Sequence, residues 1–196
     1  MHSSAEHAHS DEVDAALDDA VTLVERAVVA LPAGVLPIVL IDGRSGAGKS
    51  TVAARVRARW AGPVTMIGLD ELYPGWDGLA EGAEIARTRI LEPLASGRSA
   101  HWNRWDWVRD APGDGVVTPA FVPLILEGSG VLTPASAALA PVRLWLESAE
   151  PGRRDRALAR DGDTYRPHWQ RWARQEEAHL CAHHPRDLAT IRVDVP

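Results

Sequence analysis

An apolar run, Ile38-Val39-Leu40-Ile41, stops at Asp42, and the pattern G-x-x-x-x-G-K-[ST] follows. It occupies Gly43, Arg44, Ser45, Gly46, Ala47, Gly48, Lys49 and Ser50, with Thr51 next. A chain with this stretch must end a buried strand, turn tightly and enter a helix within a few residues. The glycines let the backbone come close to a ligand and adopt positive φ. Successive N–H groups then face one concavity, an anion nest. A helix beginning near Gly48 points its unpaired N–H groups and positive dipole end at the same place. Lys49 reaches the outer phosphates of a nucleoside triphosphate, and the Ser50 hydroxyl is a ligand for Mg²⁺.

Lys49 is the only lysine among the 21 basic residues, the other 20 being arginine. The one compact ammonium on a flexible stem stands where phosphates would need it.

The net charge of −6 argues against a broad nucleic-acid surface. The single cysteine, Cys181, forms no internal disulfide, which suits a reducing cytoplasm. No apolar run approaches the ~20 residues of a membrane span, and no signal-peptide pattern opens the chain. A cytoplasmic protein with neither nucleic-acid nor membrane partners is expected. At 196 residues, a single domain is the default.

Residues 1–10 are polar and read as a disordered tail, with His2, His7 and His9 a weak metal-binding cue. The single domain then runs from 11 to 196. Asp11 to Leu31 has helical apolar spacing. Ser50–Trp60 reads as the helix after the loop, with Arg55, Arg57 and Arg59 on a solvated face. Strands are predicted at Val64–Leu69, Phe121–Leu126, Val142–Leu146 and Ile191–Val195. Helices are predicted at Ala80–Leu94, Pro134–Leu139, Pro151–Arg160 and Tyr165–His183. Gly97 to Thr118 reads as irregular, with an extended piece around His101–Val108. Strands alternating with helices predict an α/β fold with a mainly parallel five-stranded sheet and helices on both faces.

In such sheets ligands sit beyond the carboxyl ends of the strands. Asp42, Asp70 and Glu127 stand at or near those ends. Asp42 is read equally as a turn residue or a functional one. Asp70 follows an apolar strand and suits the proton acceptor of a phosphoryl transfer. Glu127 follows Leu124-Ile125-Leu126 and suits a site beside Mg²⁺. Arg153, Arg154, Arg156 and Arg160 lie between Gly152 and Gly162, as on a mobile helix covering a transferring phosphate. That arginine-rich lid spans about 150–163. Trp76, Trp102, Trp105 and Trp107 could form an aromatic wall.

These residues resemble the uridine kinase and phosphoribulokinase group of P-loop kinases. The resemblance covers about residues 36–195. It rests on Gly43–Thr51, on Asp70-Glu71-Leu72-Tyr73, on Leu126-Glu127-Gly128 and on the arginine-rich segment. It implies a three-layer P-loop fold and an ATP- and Mg²⁺-dependent kinase with a small-molecule alcohol as acceptor. It implies Asp70 as base with Lys49 beside it, and Arg154, Arg156 and Arg160 as lid arginines. ATP falls to Gly43–Thr51, the metal to Ser50 and Glu127, and the acceptor to Tyr73, Trp76, Arg104, Trp105 and Asp106. Arg104-Trp105-Asp106-Trp107 is a loose echo of the family's Tyr-Asp-Phe stretch. Asp110 stands where a histidine is usual, which departs from pyrimidine recognition.

A competing class is a nucleotide-driven switch or metallochaperone NTPase. A guanine-reading Asn-Lys-x-Asp stretch is impossible with Lys49 as the only lysine.

Overall fold

The computed structural model describes residues 2–196, with the side chains of residues 2–7, 161 and 163 outside the description. In chain order the elements are α1 (His2–Val29), β1 (Ile38–Gly43), α2 (Lys49–Arg59), β2 (Thr65–Gly68), α3 (Leu79–Ile85), α4 (Glu92–Ala95), β3 (Ala100–Asp106), β4 (Ala111–Thr118), β5 (Leu124–Glu127), α5 (Pro134–Ala137), β6 (Val142–Ser148), α6 (Glu150–Tyr165), α7 (Trp169–His183), α8 (Pro185–Leu188) and β7 (Ile191–Val195). Five strands form one sheet in the order β2-β5-β1-β6-β7, and every neighbouring pair is parallel.

The middle strand explains the layering. β1 is buried along its whole length, as a strand covered on both faces must be. Its side chains alternate between two cores. Ile38 and Leu40 pack with Leu69, Ile90, Leu91, Trp169 and Trp172. Val39 and Ile41 pack with Val21, Val24, Val52 and Val56. Thus α1 and α2 cover one face, while α3, α6 and α7 cover the other. The result is the expected three-layer α/β architecture.

Several details depart from the sequence reading. Helix α1 starts at His2, so it takes in nine of the ten residues read as a tail. The metal-binding cue at His2 and His7 lies outside the described side chains; His9 is exposed. On α2, Arg55 and Arg59 are not simply solvated. They pair with Asp14 and Asp18 of α1, Arg55 at 2.7 and 3.1 Å. Such exposed pairs contribute ~0–1 kcal/mol, so they orient α1 more than they stabilise it. Between α3 and α4 the chain widens into a π-helical turn over Ala86–Leu91.

The largest difference is at 97–118. It is a two-stranded antiparallel hairpin, β3 against β4. Gly113, Asp114 and Gly115 hide β4 from propensity arguments, because such residues are depleted in strands. Cross-strand contacts supply what propensity lacks: Trp102 is buried with its Nε1 donating to Thr118 Oγ1 at 3.1 Å, and Asn103 Nδ2 donates to the Gly113 carbonyl at 3.0 Å. The strand expected from Phe121 begins only at Leu124. Pro123 has no N–H for the ladder, and Phe121 is exposed with positive φ.

Candidate active site

The loop between β1 and α2 holds Gly46 and Gly48 in left-handed conformation, φ 82° and 99°. Lys49 opens α2, and its buried ammonium donates to the Arg44 carbonyl at 3.1 Å. Burial lowers the Lys49 pKa, while the carboxylates of Glu127, Glu176 and Asp42 oppose that shift. The ammonium is therefore set among acids, which keep its charge in place despite burial.

Helices α6 and α7 brace the first half of the loop. Glu176 of α7 is buried and accepts from the Ser45 amide and the Ser45 hydroxyl, both at 2.7 Å. Arg153 of α6 is 1% exposed and donates to the Ser45 carbonyl at 3.1 Å. Arg156 donates through Nε to the Gly46 carbonyl at 3.0 Å and through a terminal nitrogen to Ser148 Oγ at 2.5 Å. The Tyr165 hydroxyl donates to Ser45 Oγ at 2.9 Å. A side chain at Gly46 would collide with the Arg153 carbonyl, so only glycine lets α6 sit this close. Arg154 is exposed on α6, away from these contacts.

Asp42 is a turn organiser. Its buried carboxylate accepts from the amides of Gly43 (2.7 Å), Gly130 (3.0 Å) and Leu132 (2.8 Å). His179 Nε2 lies 3.2 Å from its other side. The loop after β5 is thereby fastened to the end of β1.

Beside the loop lies a cleft of ≈ 900 Å³. Ser45, Lys49, Ser50, Asp70, Glu127 and Arg160 all line it. The parallel register explains the convergence: Gly68 of β2 pairs with Glu127 of β5, and Ile41 of β1 pairs with the same residue. Asp70 thus follows β2 at the edge where Glu127 ends β5. Burial raises the Asp70 pKa, and the neighbouring charge of Glu71 adds to it. Glu127 is raised by burial against the pull of Lys49. Gly128 leaves no room for a side chain, since a Cβ there would press on Leu69 and the Tyr73 hydroxyl.

The aromatic residues divide sharply. Tyr73 is buried, its hydroxyl donating to the Ser129 carbonyl at 2.8 Å and its ring edge-on to Trp172 at 4.7 Å. Trp76 stacks on His168 at 4.1 Å and stands 5.1 Å from Trp107. Gln175 of α7 fixes that segment by donating to the Trp76 carbonyl at 2.7 Å. Tyr73, Trp76, Trp107, Tyr165 and Trp172 all line the cleft. Trp105, Arg104 and Asp106 do not line it. Arg104 pairs with Glu71. Asp106 caps the hairpin turn by accepting from the amides of Val108 and Arg109, both at 3.0 Å. Trp107 stands just past the end of β3, with its Nε1 on the Asp70 carbonyl, and it is Trp107 rather than Trp105 that reaches the cleft.

Glu176, Tyr165 and Trp172 carry no motif and escaped the sequence reading. Their spacing was the available signal. Tyr165, Trp169, Trp172, Glu176 and His179 fall at helical intervals, a stripe whose aromatic part continues into an acid and a histidine.

Among the described residues, no group of three or more His, Cys, Asp or Glu side chains could hold a metal alone. Ser50, Glu127 and Asp70 supply oxygens around one cleft. That donor set suits Mg²⁺, which takes few protein ligands and completes its shell with phosphate oxygens and water. No helix among the described residues is long and apolar enough to cross a membrane.

No protein-family model and no curated protein matches this chain. Solved structures do. A protein described as a possible uridine kinase from Bacillus stearothermophilus aligns with a TM-score of 0.64 at 15% identity, covering 90% of this chain and 98% of that one. A protein described as a fructose transport system kinase, from Silicibacter sp. TM1040, aligns with a TM-score of 0.53 at 19% identity, with the same coverage. At such identity the likeness concerns the fold. With its parallel sheet, phosphate loop and strand-end acids, the chain has the fold of the P-loop kinases.

Proposed function

We propose that this protein is a small-molecule kinase that moves the γ-phosphate of ATP to an alcohol. The observation that carries this reading is the convergence of Lys49, Asp70, Glu127 and Arg160 on one cleft. The names of the two structural neighbours agree with it.

Each residue then has a task. Amides of the loop and the Lys49 ammonium hold the triphosphate. Ser50 and Glu127 would hold Mg²⁺, which supplies charge neutralisation at the phosphates. Asp70 accepts the proton of the acceptor hydroxyl. The hydroxyl oxygen forms a bond to phosphorus as the bond to the leaving diphosphate breaks, giving ADP and the phosphorylated alcohol. A carboxylate with a raised pKa is a better proton acceptor than an ordinary one. Arg160 lies where it can meet charge on the transferring group.

The test is ADP release from ATP and Mg²⁺ across a panel of nucleosides, free sugars and small alcohols, with the phosphorylated product identified by mass. At least one acceptor should yield ADP and product in equal amounts. ATP that binds but is never transferred to any acceptor would reduce the protein to a nucleotide-binding module.

A further inference from the structure

The cleft has two ends of different character. At the loop end are Ser45, Lys49 and Ser50. At the other end are Asp70, Glu71, Trp76 and Trp107. Among the described residues lining the cleft, the cations are Lys49 and Arg160, against three carboxylates, Asp70, Glu71 and Glu127. Both cations have charge partners in the cleft: Lys49 interacts with Glu127, and Arg160 with Asp70 and Glu127. A triphosphate would draw on the same two.

Arg104 lies outside the lining, and Glu71 holds it in an ion pair. Glu71 itself lines the cleft, next to Asp70. An acceptor bearing a phosphate or carboxylate would meet the carboxylates of Asp70 and Glu71, while Arg104 is engaged by Glu71. Like charges across a contact are a strong device for rejecting partners.

The apolar part of this end is equally specific. Trp107 is 39% exposed, yet its Nε1 donates to the Asp70 carbonyl at 2.8 Å. An indole is thus clamped beside the carboxylate with its ring open to the cleft. Trp76 stands 5.1 Å away, tilted at 57°. Fixed indoles next to an acid suit a flat apolar face with hydroxyls at its edge.

Resting on the kinase reading of this cleft, we infer that the acceptor is an unphosphorylated sugar or nucleoside, and that Glu71 is the charge that excludes phosphorylated ones. Glu71 does this in two ways. It repels the anion directly, and it keeps Arg104 occupied.

The experiment pairs hexoses, pentoses and nucleosides with their monophosphates. Binding is read by quenching of tryptophan fluorescence in the presence of a non-hydrolysable ATP analogue, and transfer by ADP release with ATP. At least one uncharged member should bind ~10-fold or more tightly than its monophosphate. In Glu71→Gln that ratio should fall several-fold, because repulsion is lost and Arg104 is released. Tighter binding of the monophosphate, no binding by any uncharged member, or an unchanged ratio in Glu71→Gln overturns the inference. Uncharged members that bind without ADP release would sink the kinase reading and leave the charge selection standing. ADP release only with phosphorylated acceptors would do the reverse.

Discussion

One oxygen of Glu176 accepts both the amide and the hydroxyl of Ser45, a residue 131 positions earlier in the chain. The second oxygen faces Arg44 at 3.4 Å and Arg153 at 3.8 Å. The phosphate loop is therefore held in shape by α7 before any ligand arrives. Removing a buried carboxylate leaves a guanidinium without its partner. Glu176→Ala should cost about 3 kcal/mol or more of stability and weaken ATP binding. Glu176→Gln, which can still accept from Ser45, should recover part of both. Thermal unfolding and calorimetric titration with ATP measure the two effects; an Ala variant matching wild type in both would deny the brace.

Lys49→Ala should remove most turnover while leaving the fold intact. The loss should reach ~10²-fold or more, as for other charge-stabilising groups in dry sites. Steady-state ADP release paired with a melting curve checks both halves.

Asp70→Asn should reduce transfer by ~10²–10⁴-fold, the usual range for a general base, with ATP still bound. The pH profile gives an independent reading. The Asp70 pKa is raised by burial and then by Glu71, so the acidic limb of kcat/KM should lie above that of an ordinary carboxylate. Glu71→Gln removes the neighbouring charge and should move that limb to lower pH. A limb that stays in place would disconnect it from Asp70.

Glu127→Gln should raise the Mg²⁺ requirement and lower turnover, yet stabilise the fold at neutral pH. Glu127 has a raised pKa, so the folded state holds its proton more tightly than the unfolded chain does. The stability this gives is present below the ordinary glutamate pKa and lost as pH rises through the folded value. Glutamine escapes that loss. The melting temperature of the variant should exceed that of wild type near pH 7, and the two should converge near pH 4.

Arg160→Ala should reduce kcat more than ATP affinity, since Arg160 lines the cleft beside the acids. Arg154→Ala should leave both near wild type, because Arg154 is exposed on α6. Arg156→Ala should act instead through the loop, whose Gly46 carbonyl it holds. A kinetic comparison of the three separates these roles.

What could be read from the chain alone was whatever is local. The strand-loop-helix of Ile38 to Arg59 is written in consecutive residues, and so are Asp70 and Glu127 at their strand ends. The parallel sheet followed from alternation. What could not be read was set by distant partners. Glu176 looks like one more acid in a charged helix until the fold brings it to Ser45. Trp105 lies within the hairpin strand while Trp107 follows its end and is held by the distant Asp70 carbonyl, and neither fact is written in the local sequence. The strand β4 is made by its pairing, against its own composition. Arg153 and Arg156 read as arginines of a lid over a transferring phosphate, yet they are fastened to loop carbonyls.

The solitary Lys49 has a practical consequence. Its ammonium is buried and hydrogen-bonded to the Arg44 carbonyl, and no other side chain in the sequence carries a primary amine. Amine-directed reagents can therefore modify only two places, this side chain and the α-amino group. Acylation of the first would act as a direct gauge of loop occupancy: slow in the resting protein, slower still with a triphosphate in place, and fast when α6 or α7 lets go. A single mass increment would then report the state of the nest.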